Sequence, residues 1–109
     1  MDLAQKKCVA CEGDAVPLTP MEAEAMLMHV DGWSLDAGAK KISKQFNFKN
    51  FKEAMTFANK ISDISETEGH HPDLSIGWGR VGVELTTHAI KGLSENDFIL
   101  AAKIDLIER

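Results

Sequence analysis

The sequence of 109 residues has no apolar run that approaches the roughly 20 residues needed to span a bilayer as a helix. Its first residues, Met1 to Lys7, also lack the apolar core of a secretory signal. The first absence argues against a membrane-spanning helix, and the second against secretion. Together they predict a cytoplasmic protein with no membrane partner.

The chain also lacks an excess of positive charge. Its formal net charge is −5 and its lysines form no cluster, which argues against binding to the phosphate backbone of a nucleic acid. It has no glycine-rich phosphate loop and no serine or cysteine nucleophile motif. Its 44% hydrophobic and 27% charged residues are typical of a soluble globular domain.

Cysteine is scarce, and both cysteines lie in one Cys-x-x-Cys, formed by Cys8 and Cys11. No second pair follows to complete a four-ligand metal site. Two reduced thiols in a loose arm are one interpretation, and a zinc or redox role is the other. We predict a flexible N-terminal arm over residues 1–17 and a single domain over residues 18–109.

Apolar periodicity and turn residues predict three helices and four strands in this domain. The predicted elements are a helix over about 19–30, strands at 33–35 and 42–48, a helix over 50–66, strands at 74–78 and 81–87, and a helix from 94 to near 109. Two hairpins separated by helices give an α+β fold. We expect a four-stranded antiparallel sheet with three helices packed on one face, in the order α-β-β-α-β-β-α.

The start of the last helix carries a capping pattern, with Ser94 as the cap and Asp97 as its reciprocal carboxylate. The residues that follow, from Phe98 to Ile107, are apolar over more than one face of the helix. A surface helix normally shows a narrower apolar stripe. This excess predicts a homo-oligomer, either a dimer or a tetramer, in which the last helix meets another subunit.

Three of the four histidines occur close together in the second half of the chain, as His70, His71 and His88. Pro72 disfavours helical geometry at His71, so a bend there can turn both adjacent rings toward one cavity. The predicted hairpin brings His88 beside them. Histidine gives and takes protons near neutral pH, which indicates a proton-transfer site. A ring that caps the preceding helix and a three-histidine metal site are the alternatives.

Three further residues have both a structural and a functional interpretation. Asp97 can act only as a helix cap, or it can also lie beside the site. Glu66 can be an exposed residue at a helix end, or it can fix the tautomer of a histidine ring. Trp78 can belong to the core, or it can form an aromatic wall against a flat substrate.

The spacing of these residues resembles that of the pterin-4a-carbinolamine dehydratase family. The matching pattern is Glu-x-x-x-His-His-Pro, an aromatic residue, a histidine and an aspartate, which here are Glu66, His70, His71, Pro72, Trp78, His88 and Asp97. Similarity continues in the segments 47–52 and 91–98 and extends from about Pro20 to the end of the chain. The Cys-x-x-Cys lies outside it.

This resemblance implies dehydration of 4a-hydroxytetrahydrobiopterin to quinonoid dihydropterin, in tetrahydrobiopterin recycling beside aromatic amino-acid hydroxylation. It implies a lyase whose chemistry needs neither a metal nor another cofactor. His70, His71 and His88 are the expected catalytic residues, with His70 and His88 as the proton-transfer pair. The expected substrate-binding residues are Glu66, Trp78 and Asp97. Because some family members also bind a transcription factor, a dimerisation or coactivator module is the alternative function.

Overall fold

The computed structural model describes residues 2–9 and 15–109. Three α-helices and four strands follow one another in the predicted order. They are α1 (Pro20–Leu27), β1 (Ser34–Leu35), β2 (Ile42–Asn47), α2 (Phe51–Glu68), β3 (Asp73–Gly77), β4 (Arg80–Leu85) and α3 (Glu95–Asp105). Two short 3-10 helices, Leu3–Gln5 and His88–Ile90, were not predicted.

The four strands form one antiparallel sheet in the spatial order β1-β2-β4-β3. Alternation along β2 sends Ile42 and Phe46 into the core and leaves Ser43, Gln45 and Asn47 exposed. Val81, Val83 and Leu85 of β4 are buried in the same core. One face of the sheet is therefore apolar and covered by the helices, which confirms the predicted fold class.

Helix starts follow the predicted capping patterns. The Thr19 hydroxyl accepts from the Glu22 N–H at 3.2 Å, and the Glu22 carboxylate accepts from the Thr19 N–H at 2.8 Å. At α2, the Asn50 side chain accepts from the Glu53 N–H at 2.9 Å. These bonds satisfy N–H groups that have no partner inside the helix.

Most apolar residues of α3 are buried within a single copy of the chain, because the helix packs against α1 and α2. Phe98, Leu100 and Ile104 have no solvent exposure. The 3-10 helix Leu3–Gln5 packs against α3, and Leu3 is buried in the same core. Residues from the same chain therefore cover most of the apolar surface of α3, so this surface does not by itself require another subunit, and the homo-oligomer stays a prediction.

Residues 2–9 differ from the flexible arm expected over residues 1–17. Lys103 donates to the Ala4 carbonyl at 2.8 Å, and Lys6 pairs with Glu95 at 3.0 Å. These residues pack on α3 because Leu3 supplies an apolar side chain that is buried in the core. The division into an arm and a domain stays a prediction. Among the residues that the structure describes, no helix is long and apolar enough to cross a membrane.

Candidate active site

The end of α2 positions the first histidine. Gly69 ends the helix with φ +67°, a left-handed conformation that glycine adopts without steric cost. The N–H groups of Gly69 and His70 both donate to the Ser65 carbonyl, at 2.9 and 3.3 Å. The chain thus turns sharply, and His70 faces the start of α3.

His70 forms a nearly buried pair with Asp97. The distance from His70 Nε2 to Asp97 Oδ1 is 2.7 Å, and the side chains are 11% and 0% exposed. Asp97 Oδ2 accepts from the Thr87 hydroxyl at 2.8 Å and from the Ser94 N–H at 3.0 Å. Asp97 therefore caps α3 with one oxygen and holds the His70 ring with the other, so its structural and functional interpretations are compatible.

This arrangement also favours one tautomer of the His70 ring. An ionised carboxylate only accepts hydrogen bonds, so it favours the tautomer in which Nε2 carries the proton. The other ring nitrogen, Nδ1, then carries a lone pair that can accept a proton. The ring orientation is fixed because Asp97 is itself held by Thr87 and Ser94.

The other two histidines also lie near carboxylates, but at the surface. His71 Nε2 lies 2.5 Å from Glu66 Oε2, with side chains 60% and 74% exposed. His88 Nε2 lies 3.7 Å from Asp73 Oδ2, and both of these side chains are mostly exposed. Water screens such pairs, so they hold the rings less firmly than Asp97 holds His70.

A cavity of about 360 Å³ brings the three histidines together. Its lining residues are Val9, Gly69, His70, His71, Thr87, His88, Ala89 and Asn96. The volume lies within the range of about 300–1,000 Å³ typical of small-molecule sites. The structure therefore places His88 in the same cavity as His70 and His71, as the predicted hairpin requires.

Trp78 lies away from this cavity. It occupies the tip of the β3–β4 hairpin and is 74% exposed. The histidines lie at the opposite end of the hairpin, and β3 alone, at about 3.3 Å per residue, separates the two by about 17 Å. Within one copy of the chain, Trp78 does not meet His70, His71 or His88, and its role as a substrate-binding residue stays a prediction.

The site also includes residues that were not predicted from the sequence, among them Val9, Asp73, Thr87 and Asn96. Asp73 could have been found, because the predicted hairpin already placed it close to the end of β4 and therefore to His88. Thr87 directly precedes a predicted site histidine, but its bond to Asp97 depends on tertiary packing. No sequence pattern connects Val9 to the histidines.

The described residues also bear on the metal interpretations. Among residues 2–9 and 15–109, no group of three or more His, Cys, Asp or Glu side chains is arranged to hold a metal ion. Cys8 is a free thiol that lies half-buried beside Glu68, and burial followed by this negative charge raises its pKa to about 12. Cys11 lies outside the described residues, so a zinc or redox role for the pair stays a prediction.

Comparison with known proteins provides independent evidence. Residues 16–107 match the family model described as pterin 4 alpha carbinolamine dehydratase. A relative from Methylococcus capsulatus is 52% identical over 103 residues, which are 94% of this chain and 90% of the relative. One from Halorhodospira halophila is 47% identical and 98% of each chain is covered. Both carry the provisional name pterin-4-alpha-carbinolamine dehydratase.

Two solved structures share the fold. A transcriptional coactivator/pterin dehydratase from Brucella melitensis has a TM-score of 0.76 and 34% identity, covering 82% of this chain and 95% of that one. A pterin dehydratase-like protein, described as a RuBisCO assembly factor in the alpha-carboxysome, has a TM-score of 0.59 and 24% identity, covering 68% and 86%. At that identity the second comparison supports the fold alone.

Proposed function

Because the chain belongs to the pterin 4 alpha carbinolamine dehydratase family, we propose that it dehydrates 4a-hydroxytetrahydrobiopterin to quinonoid dihydropterin and water. The observation that carries this proposal is the cavity that His70, His71 and His88 share, with His70 fixed by the buried Asp97. The setting we propose is cytoplasmic recycling of tetrahydrobiopterin beside aromatic amino-acid hydroxylation.

The reaction requires two proton transfers at neighbouring atoms of the pterin. The bond between C4a and the hydroxyl oxygen breaks, and a proton from a donor converts the leaving hydroxide to water. The proton on N5 passes to a base, and the electron pair of that N–H bond forms the C4a=N5 double bond. One protein group loses a proton and another gains one, and exchange with water restores both.

His70 is suited to the role of base. Its Nε2–H donates to Asp97, so Nδ1 is the nitrogen that accepts the N5 proton. The imidazolium that forms is stabilised by the carboxylate at 2.7 Å, in surroundings that exclude most water. A positioned acid or base of this kind contributes about 10²–10⁴-fold to a rate.

His88 is the proposed acid, and His71 holds the pterin ring. His88 lines the same cavity as His70, and its Nε2 lies 3.7 Å from Asp73 Oδ2. Because His88 is mostly exposed, it can regain its proton from water after each turnover. Glu66 orients His71 through their 2.5 Å contact. The proposed mechanism uses neither a metal nor a redox cofactor.

A stopped-flow assay with freshly generated 4a-hydroxytetrahydrobiopterin tests this function. The wild type should accelerate the loss of substrate absorbance, and the rate should survive a chelator. His88→Ala should lower kcat by about 10²-fold or more. His29→Ala is the matched control and should keep the wild-type rate, because His29 is exposed and lies outside the cavity.

Two outcomes would contradict the proposal. Wild-type protein that does not accelerate the reaction would reject the dehydratase function. Turnover that disappears with EDTA and returns with one equivalent of zinc would replace the acid–base mechanism by Lewis-acid chemistry.

The alternative function is a dimerisation or coactivator module of the same fold. It is favoured by the Brucella melitensis structure, whose name includes transcriptional coactivator as well as pterin dehydratase. Inactive wild-type protein that remains folded and self-associates would favour this alternative.

We also propose a homo-oligomer, either a dimer or a tetramer, on grounds other than α3. Large apolar side chains remain exposed elsewhere, including Phe51, Leu74 and Trp78, and Leu74 lies on the edge strand β3. Exposed apolar side chains of this size often mark contact surfaces. Light scattering at micromolar concentration should detect an oligomer, and a monodisperse monomer would reject it.

A further inference from the structure

One wall of the histidine cavity comes from a part of the chain that the family model does not include. The family match begins at residue 16, whereas Val9 lines the cavity together with His70, His71 and His88. We refer to residues 2–9 as the N-terminal strap. Val9 is 70% exposed, so its side chain is not packed in the core and remains open to a bound molecule.

The strap is held beside the site by a pair of hydrogen bonds to one side chain. The Asn96 amide oxygen accepts from the Val9 N–H at 2.9 Å, and the amide nitrogen donates to the Val9 carbonyl at 2.5 Å. Both backbone groups of Val9 are thereby bonded to a residue that is itself buried and directly precedes Asp97. The position of Val9 is thus linked to the α3 turn that holds His70.

Further contacts fix the strap along its length. The Cys8 N–H donates to Glu68 Oε1 at 2.8 Å, and the Cys8 thiol lies 3.6 Å from the Asn96 carbonyl oxygen. Leu3 is buried against α3, and Lys103 donates to the Ala4 carbonyl. A segment bonded at so many points is preorganised, and it can therefore select among substrates at little entropic cost on binding.

From this placement we propose that the N-terminal strap forms a substrate-binding wall and that Val9 determines specificity for the substituent at C6 of the pterin. The inference rests on the proposed dehydratase function. If the histidines act at C4a and N5, the next ring atom is C6, which carries the variable side chain. An apolar residue on the same cavity then contacts that substituent, and Asn96 is the positioning residue that holds Val9 there.

The test compares two freshly generated 4a-hydroxytetrahydropterins, one with a methyl group and one with a dihydroxypropyl group at C6. Val9→Phe narrows the cavity, so we expect kcat/KM for the larger substrate to fall about tenfold relative to the smaller one, mainly through KM. Val16→Phe is the matched control. Val16 is 86% exposed and does not line the cavity, so the wild-type ratio should be retained.

Variants of Asn96 separate positioning from general stability. Asn96→Leu removes both bonds to Val9, and Asn96→Asp keeps the acceptor but removes the donor. We expect both variants to raise KM for the larger substrate more than KM for the smaller one. The increase in KM should be greater for Asn96→Leu. A purely structural role would instead lower the fraction of active protein and reduce the turnover of both substrates equally.

The outcomes distinguish this inference from the proposed function. Suppose that the wild type and Val16→Phe process both substrates and that Val9→Phe keeps the wild-type ratio of the two kcat/KM values. The strap proposal is then overturned, and the dehydratase function stands. If the wild type processes neither substrate, the dehydratase function fails and the strap proposal fails with it.

Discussion

His70 and His71 are adjacent in the sequence and each pairs with a carboxylate, yet the two pairs lie in different environments. The His70–Asp97 pair is almost completely buried, and its carboxylate holds two further donors, Thr87 and Ser94. The His71–Glu66 pair is mostly exposed to water. Two imidazole–carboxylate pairs whose histidines are adjacent in the sequence therefore differ in how firmly each ring is held.

The difference shows that burial, rather than the identity of the partners, decides what such a pair can do. A buried charge that loses its partner cannot be solvated by water, so the network around Asp97 must remain complete. An exposed pair exchanges its partner for water at little cost. The first arrangement suits a proton acceptor with a fixed ring, and the second suits a side chain that adapts to a bound substrate.

The largest expected effect concerns stability. Asp97→Ala should destabilise the protein by about 3–5 kcal/mol, because it leaves His70, Thr87 and the Ser94 N–H without their acceptor. Glu66→Ala, which removes the exposed carboxylate, should cost under about 1 kcal/mol. Urea unfolding measures both values, and equal losses would show that burial does not separate the two pairs.

A smaller effect should come from the hydroxyl that supports Asp97. Thr87→Val keeps the shape of the side chain but removes a donor, and should cost about 1–2 kcal/mol of stability. It should also slow kcat about fivefold, equivalent to about 1 kcal/mol, because Asp97 holds His70 less firmly. Thr86→Val is the matched control, since Thr86 donates to the Lys40 carbonyl instead. It should lose stability but keep kcat, and equal kcat losses would contradict the role of Thr87.

A substitution in the turn between α2 and the two histidines should lower the free energy of unfolding by about 1 kcal/mol. Gly69→Ala places a side chain at φ +67°, which an alanine adopts only with strain. No atom lies within 4 Å of the added Cβ, so the cost comes from the backbone alone. Gly38→Ala, where φ is not positive and contacts are ordinary, should be neutral or slightly stabilising. Thermal unfolding that ranks the two variants in the opposite order would contradict this account.

The smallest effect uses Cys8 as a reporter of the buried charges. Its pKa is raised from 9.0 to about 12, first by burial, then by Glu68, with a lesser contribution from Asp97. Because the folded pKa is the higher one, its contribution to stability is complete below about pH 9 and is lost as the pH rises toward about 12. In a Cys11→Ser background, unfolding midpoints should therefore fall more between pH 8 and pH 11 with Cys8 than with Cys8→Ala.

The same thiol also distinguishes the two carboxylates. Asp97→Asn should lower the Cys8 pKa slightly, while Glu66→Gln should leave it unchanged, as measured by the pH dependence of alkylation. An identical Cys8 pKa in wild type and Asp97→Asn would show that the charge of Asp97 does not reach the strap.

Much of the fold could be predicted from the sequence because its local patterns are consistent with the tertiary structure. Alternation in β2 and β4 and the caps at Thr19 and Asn50 are local properties, and the elements form where these patterns predict them. The broad apolar surface of α3 did not specify what covers it, because amphipathicity does not reveal whether a covering segment belongs to the same chain. Leu3 is that cover, and it lies about a hundred residues away.

The candidate site was predictable where strand pairing sets the distance. The hairpin of β3 and β4 brings His88 to His70, and the register that places Asp73 opposite Glu84 also places it near His88. The contacts of Val9 and Thr87 could not be predicted, because each depends on how α3 packs. Trp78 matches the family spacing, yet it lies at the far end of the hairpin from the histidines. The number of residues between two positions does not specify how far apart the chain places them.

The measurement that tests the central claim most directly is a stopped-flow comparison of His70→Ala and His71→Ala with 4a-hydroxytetrahydrobiopterin. If His70 is the buried base and His71 holds the pterin, His70→Ala should lower kcat by about 10²-fold or more. His71→Ala should raise KM with kcat within about threefold of wild type. Circular dichroism should show both variants folded. Near-wild-type kcat in folded His70→Ala, or equal kcat losses in the two variants, would contradict the account.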